Sequence, residues 1–399
     1  MTANSNVVNN FKAVLFAAYM FASEVFMKIV NAKVFTKDFN FANIDIEVNG
    51  TVFGTSFDNE IVDAKGLMAI PGLIDTHFHG SLGADFMDST PKSLEKIAKY
   101  QASVGVTSIC PASMTMGLNE IASAFANAAH FKAKDDEADL VGIYMEGPFV
   151  SHLKLGAQNP KYVMAPDLLA FRQLQHTANG LVKVLAIAPE VPTALDTIKL
   201  LQNEVKVSIA HTGCSYDIAL KAIENGAKRL THTFNAMPGI NHRSPGPILA
   251  AVDAPWCEAE IITDGVHIHP SAVRAAFKLF GPEKMILISD SMMAAGLDDG
   301  EYSLGGQAVF VEGRKATLKD GTIAGSATNL YDCMVTAVKE MQIPLVDAIR
   351  AATYNPARSI GILDKCGSID YGKKADLLLI DEDLNLKAVL LRGKWVKSV

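Results

Sequence analysis

The stretch "LIDTHFHGSLG", residues 73–83, is an apolar run that ends in two imidazoles, His77 and His79, one residue apart where a buried strand would meet a glycine-bearing loop. Side chains at i and i+2 of a strand stand on the same face, so both rings can reach one point beyond the strand end. Further along, short β-rich runs recur: "TSICPAS", "LVGIYMEG", "VKVLAIAPE", "VKVSIAHTG", "KRLTHTFN", "CEAEIITDG" and "KMILISD". Helix-length segments such as "TPKSLEKIAKYQASVG", "DIALKAIENG" and "PSAVRAAFKLFG" alternate with them. With "GLIDTHFH" these make eight apolar strands, each followed by a helix or a long loop, which is the requirement of a TIM-like (β/α)8 barrel of the α/β class.

The flanks read differently. "MKIVNAKVF", "NIDIEVNGTVF" and "IVDAKGLMAIPG" are short runs separated by turn residues, and "GSIDYGKKADLLLIDEDLNLKAVLLRGKWVKSV" repeats that texture at the other end. The expected organisation is a small β-sandwich module from residues 27–71 and 358–399 around a hydrolase barrel at 72–357. Residues 1–26 carry an apolar stretch with no A-x-A cleavage pattern, too short to span a bilayer, and are read as an N-terminal extension.

Composition excludes several classes. The 399 residues are 49% hydrophobic and 20% charged, the balance of a soluble globular protein. A net charge of -7 without a basic stripe argues against nucleic acid, and no segment argues for a membrane. The cysteines are five, unpaired in spacing and far apart, as expected of reduced residues in a cytoplasmic protein.

Chemistry collects at the strand C-termini, where barrel sites are built. His77 and His79 follow the first strand, Glu146 the third, His211 the fifth, His232 the sixth and Asp290 the eighth. Taken singly, each has a structural explanation: an H-x-H pair packs, a glutamate caps a loop, a histidine satisfies backbone groups. Together, imidazoles and carboxylates at one end of a barrel suit a divalent transition metal. The loop "NAMPGINHRSPG", residues 235–246, adds one permanent cation, Arg243, whose guanidinium matches a phosphate bidentately.

In order along the chain, "PGLIDTHFHG", "MEGPF", "GAQNP", "AHTG", "THTFNAMPG", "DGVH", "SDSMMAAG" and "DGTIAGS" resemble the motifs of the N-acetylglucosamine-6-phosphate deacetylase family of the amidohydrolase superfamily. The resemblance runs from about Ile29 to the C-terminus. It implies metal-dependent hydrolysis of the N-acetyl group of a 6-phosphorylated amino sugar, with Glu146, His211 and His232 as metal ligands, and His77 and His79 marking a two-metal variety bridged by Glu146. It implies a catalytic acid/base at Asp290, which also belongs to the metal cluster, and substrate contacts from His267 near the acetyl carbonyl, from Gly147 and Gln158, and from Asn235, Ala236 and Arg243 toward phosphate. Zinc, iron and manganese share these ligands, so one or two divalent ions per chain are expected without a choice among them. The resemblance also implies a homodimer. Gln158 stands where some relatives carry a histidine that contacts the sugar, which leaves the N-acetylgalactosamine 6-phosphate epimer as an alternative substrate. A dihydroorotase-like cyclic amidase would keep the barrel and the histidines but is expected to lack "THTFNAMPG".

Overall fold

In the computed structural model, which describes residues 26–55 and 60–397, the run "LIDTHF" is the first barrel strand, β1 (Leu73–Phe78), with all six residues buried. It pairs in parallel with β2 (Val106–Pro111). β3 (Ile143–Met145), β4 (Val182–Ile187), β5 (Lys206–Ile209), β6 (Ala227–Leu230), β7 (Glu258–Ile262) and β8 (Met285–Ile288) follow as one parallel sheet in sequence order. A parallel bridge between Ala112 and Tyr144 joins β2 to β3. The ring closes where Asp290 donates its N–H to the His77 carbonyl at 3.0 Å and His79 donates to the Ser291 carbonyl at 2.7 Å. Eight parallel strands with outer helices make the (β/α)8 barrel.

Local chemistry sets the helices. Helix α1 (Pro91–Ser103) starts with proline, which lacks the N–H that a first turn cannot use, and Thr90 Oγ1 accepts from Ser93 N–H at 3.1 Å. Its buried residues Leu94, Ile97, Ala98, Gln101 and Ala102 recur at helical spacing and seal the barrel wall. Helix α2 (Tyr216–Glu224) is capped by Ser215, and helix α3 (Pro270–Phe280) by His269, with Gly281 ending it at a φ of 82°. The first, second and third of these fall on the three helical segments expected from periodicity. Three further helices, Leu330–Lys339, Leu345–Ala352 and Tyr354–Ser359, follow toward the C-terminus.

The chain ends meet in one β-sandwich module. Strands Leu377–Ile380 and Met68–Pro71 pair antiparallel within a six-stranded sheet, and a four-stranded sheet containing Phe26–Val30 covers it. Met27, Ile29, Val48, Ala69, Leu377 and Leu379 from the two sheets share one buried cluster. The strands of the C-terminal segment begin at Leu377. The module is tied to the barrel by Asp139, which accepts from Arg392 Nη1 at 2.6 Å and also pairs with Lys374. Residues 1–25, most of the expected N-terminal extension, lie outside the described residues.

One element was not expected. Between β8 and the C-terminal helices a three-stranded antiparallel sheet (Gly300–Leu304, Gln307–Glu312, Lys315–Thr317) stands over the barrel mouth. Its signal is in the sequence: two alternating runs flank Gly305-Gly306, whose φ values of 56° and 78° suit a two-residue hairpin turn. Both ends of the insert return to one point, where Ser291 bridges Ser326 and Met292 donates to the Ser326 carbonyl at 2.9 Å.

Candidate metal centre and active site

The strand ends aim their side chains at Glu146, which directly follows β3. His211 Nε2 lies 3.0 Å and His232 Nε2 3.1 Å from Glu146 Oε1. His77 Nε2 is 3.4 Å from Oε1, and His79 Nε2 is 3.4 Å from Oε2. Asp290 Oδ1 stands 3.2 Å from His79 Nε2 and 3.9 Å from His77 Nε2. Two sets of ligand atoms result, His77–His79–Glu146 and Glu146–His211–His232, which share the glutamate.

The backbone bends to achieve this. His211, His232 and Asp290, each two residues past its strand, adopt φ values of 42°, 28° and 48°. Such left-handed conformations cost non-glycine residues of the order of 1–2 kcal/mol each, and they free three side chains from the face alternation that an extended strand would impose.

Each ring's second nitrogen fixes its tautomer. The Nδ1 atoms of His79, His211 and His232 face the carbonyls of Ala112, Lys154 and Asn235 at 3.3, 3.1 and 3.1 Å, and His77 Nδ1 faces Glu260 Oε2 at 3.0 Å. A ring that donates from Nδ1 keeps a lone pair on Nε2. Four lone pairs therefore converge on a carboxylate, with His211 and His232 Nε2 only 3.2 Å apart, and His77 Nε2 has no hydrogen-bond partner. Mutual repulsion of this kind is relieved by a cation, so the donor set fits a divalent metal.

Burial opposes charge on these groups, but whenever the rings carry a second proton, on Nε2, the attraction between rings and carboxylates prevails. Burial disfavours the Glu146 carboxylate, yet His77, His211 and His232 hold its pKa well below the usual range. Burial likewise works against ionised Asp290, and the hydrogen bond from His79 with the charge on His77 outweighs it, lowering the pKa. His267 is buried, which lowers its pKa, but Asp264 Oδ2 at 2.7 Å from Nδ1 more than compensates and raises it.

A cavity of about 220 Å³ opens onto the cluster. Of the residues expected from sequence, His79, Glu146, Gln158, His211, His232, Asn235, Ala236, His267 and Asp290 line it. His77 sits beneath the wall with no exposed surface. Gln158 turns toward the centre: Nε2 donates to Glu146 Oε2 at 2.8 Å while Oε1 accepts from Thr115 N–H at 2.7 Å. Gly147, next to Glu146, is not among the lining residues and has a φ of 78°. Arg243 is exposed, is not among the lining residues and forms no ion pair among the described residues. Sequence reading missed Leu304, Thr322 and Ile323 on the wall and Glu260 below it.

The profile of the amidohydrolase family matches residues 68–396. The chain belongs to the amidohydrolase family. It is 36% identical over 342 residues to the N-acetylglucosamine-6-phosphate deacetylase of Bacillus subtilis, covering 84% of this chain and 86% of that one. It is also 32% identical over 336 residues to an N-acetylgalactosamine-6-phosphate deacetylase of Escherichia coli, covering 84% and 89%. The solved structure of an N-acetyl-D-glucosamine-6-phosphate deacetylase mutant from Mycobacterium smegmatis, in complex with N-acetyl-D-glucosamine-6-phosphate, superposes with a TM-score of 0.88 at 30% identity and covers 94% of this chain and all of that one. Among amidohydrolases the site is generally metal-dependent, and the histidine and glutamate sets described above could hold an ion. No helix among the described residues is long and apolar enough to cross a membrane.

Proposed function

We propose that this amidohydrolase cleaves the N-acetyl group of N-acetyl-D-glucosamine 6-phosphate, releasing acetate and D-glucosamine 6-phosphate. The observation that carries the reading is the four-imidazole, two-carboxylate cluster opening into a cavity of about 220 Å³, in a chain 36% identical to a deacetylase of that name. Glu146, His211 and His232 would hold one divalent ion, zinc, iron or manganese, and His77 and His79 with Glu146 a second, with Asp290 beside His77 and His79. An ion bound there polarises a carbonyl and acidifies a water.

Asp290, ionised and facing the cavity, accepts the proton of a water attacking the amide carbonyl. The same carboxyl then returns the proton to the leaving nitrogen, which cannot depart as an anion. His267, oriented by Asp264, points its Nε2 edge to the cavity wall and is assigned to the developing oxyanion. Asn235 and Ala236 on the wall, with Arg243 on the exposed loop beyond, are assigned to the 6-phosphate. Gln158 and Gly147 are assigned to shaping the sugar pocket. Within this reading residues 72–357 form the catalytic unit, residues 27–71 and 358–399 its supporting module, and the enzyme works as a cytoplasmic homodimer.

A parallel assay of acetate release from the 6-phosphates of N-acetylglucosamine and N-acetylgalactosamine tests the proposal. The gluco epimer is expected to give the higher kcat/KM, with activity lost to a chelator and restored by a divalent metal. Preference for the galacto epimer would transfer the reading to that sugar, and full activity in protein free of stoichiometric metal would overturn the mechanism.

A further inference from the structure

Of the four imidazoles around Glu146, three give Nδ1–H to a backbone carbonyl, but His77 gives it to a buried side chain. Glu260, on β7, is fully buried, and its Oε2 lies 3.0 Å from His77 Nδ1. The opposite oxygen, Oε1, accepts from Arg229 Nη1 at 2.9 Å, and Arg229 on β6 is also fully buried. The His77 ring is held flat against Tyr144, with centroids 4.1 Å apart and planes 22° from parallel, and the Tyr144 hydroxyl is bonded to Thr231 Oγ1 at 2.6 Å. Rotation of the ring is thereby restricted, and what remains to be set is where its proton sits.

We propose that Glu260, held by Arg229, is a positioning residue that fixes the proton of His77 on Nδ1 and so keeps Nε2 as a ligand for a metal ion at His77, His79 and Glu146. This rests on the metal reading above and assigns a determinant to one of its two half-sites. A carboxylate facing a guanidinium has only lone pairs to offer, so a ring nitrogen at 3.0 Å must donate to it. A backbone carbonyl gives the same instruction to the other rings. The carboxylate adds a negative charge that makes Nε2 a stronger donor to a cation. Neither Glu260 nor Arg229 reaches the cavity wall, so their contribution passes through His77 and through the His232 N–H, which Glu260 Oε2 also accepts at 3.3 Å.

Replacing Glu260 by Gln makes the inference testable because Arg229 dictates which way the amide turns. The guanidinium donates and requires the amide oxygen, which leaves the amide N–H facing His77 Nδ1. The ring must then accept at Nδ1 and carry its proton on Nε2, where it excludes a cation. Removing the guanidinium in the double variant Glu260→Gln/Arg229→Met lets the amide oxygen turn back to His77.

The experiment is Zn²⁺ uptake by the chelator-treated full chain in competition with a chromophoric chelator, with the visible spectrum of the Co²⁺-loaded chain as a second readout. Wild type is expected to take up two ions, and Glu260→Gln to hold one of them about 10- to 100-fold more weakly, as outer-shell changes do, with the other, whose His232 touches Glu260 only through its backbone N–H, altered less. The double variant should recover most of the loss, which a role confined to packing would not produce. Should Glu260→Gln fail to fold, the pair Glu260→Leu/Arg229→Met carries the test, since it replaces the buried ion pair by apolar groups and offers His77 no acceptor; loss of one ion is expected. Two ions held at wild-type strength in Glu260→Gln or in the Leu/Met pair, or no recovery in the Gln/Met pair, overturns the inference. A wild type that takes up one ion refutes it while leaving a metal mechanism standing, and a wild type that takes up none refutes the metal reading itself.

Discussion

Gly147 follows Glu146 directly, and its replacement by alanine gives a cost that can be worked from the structure. The backbone there has a φ of 78°, which costs an L-residue about 1–2 kcal/mol. A methyl group on its Cα would stand 2.1 Å from Thr115 Oγ1 and 3.1 Å from Thr115 Cβ. Turning the Thr115 hydroxyl aside would still leave its Cβ and Cα at 3.1 and 3.2 Å, and its backbone is held by the N–H bond to Gln158 Oε1 at 2.7 Å. Overpacking of this kind adds about 1–3 kcal/mol, for a total of about 2–5 kcal/mol. That is a large part of the 5–15 kcal/mol by which proteins are typically stable. Urea unfolding at a fixed metal concentration would measure it, since bound ions add their own stabilisation. Adding Thr115→Ala should return most of the steric share and leave the backbone share. A Gly147→Ala protein within about 0.5 kcal/mol of wild type, the range of an inconsequential surface change, would refute the reasoning.

Three further outcomes are expected. Asp290→Asn should lower turnover by about 10²- to 10⁴-fold, the usual loss of an acid/base group, with Zn²⁺ uptake retained; near-normal turnover would move the role elsewhere. Arg243→Ala should raise KM for the phosphorylated sugar by about 10- to 150-fold, from roughly 1.5–3 kcal/mol for a charge-assisted bond, and leave any turnover of unphosphorylated N-acetylglucosamine unchanged; an equal loss on both sugars would remove Arg243 from phosphate binding. Because His267 Nδ1–H is committed to Asp264, its Nε2 can donate to an oxyanion only when the ring is protonated, and Asp264 raises its pKa above the ordinary 6.5. Activity should fall as pH rises through the raised value, and the stability the pair contributes, full below 6.5, should be lost over the same range; Asp264→Asn should shift that descending limb to lower pH, and an unmoved limb would refute the assignment.

The barrel was legible because its signal is periodic. Strand after strand repeats an apolar run with a polar terminus, and H-x-H puts two rings on one face whatever surrounds them. The gathering of His211, His232 and Asp290 was legible only as a coincidence of strand ends, since nothing local announces that ordinary residues will take left-handed backbone angles there. Glu260 was hidden for a different reason. "EAEII" alternates charge and alanine, a pattern that normally puts charge in water, yet Glu258 is 7% and Glu260 0% exposed. Their partners, Lys206 two strands away on β5 and Arg229 on the adjacent β6, come from other strands, and a pairing between strands leaves no trace in either one alone. The hairpin insert was readable from Gly305-Gly306 and was passed over because the run sits among the turn-rich segments that follow β8.

That insert separates two kinds of inheritance. The imidazoles that face Glu146 all stand at barrel strand ends, whereas Leu304, Thr322 and Ile323 reach the cavity from a segment whose two ends meet where residues 289–292 bond Ser326. A segment whose two ends already touch can be lengthened, shortened or exchanged while the frame that carries it keeps its shape. Recombination confined to residues 297–325 would therefore give a lineage new choices of acyl group or sugar at no expense to its reaction. Selection for a different diet of amides would be expected to leave its marks on this hairpin first and on the imidazoles last.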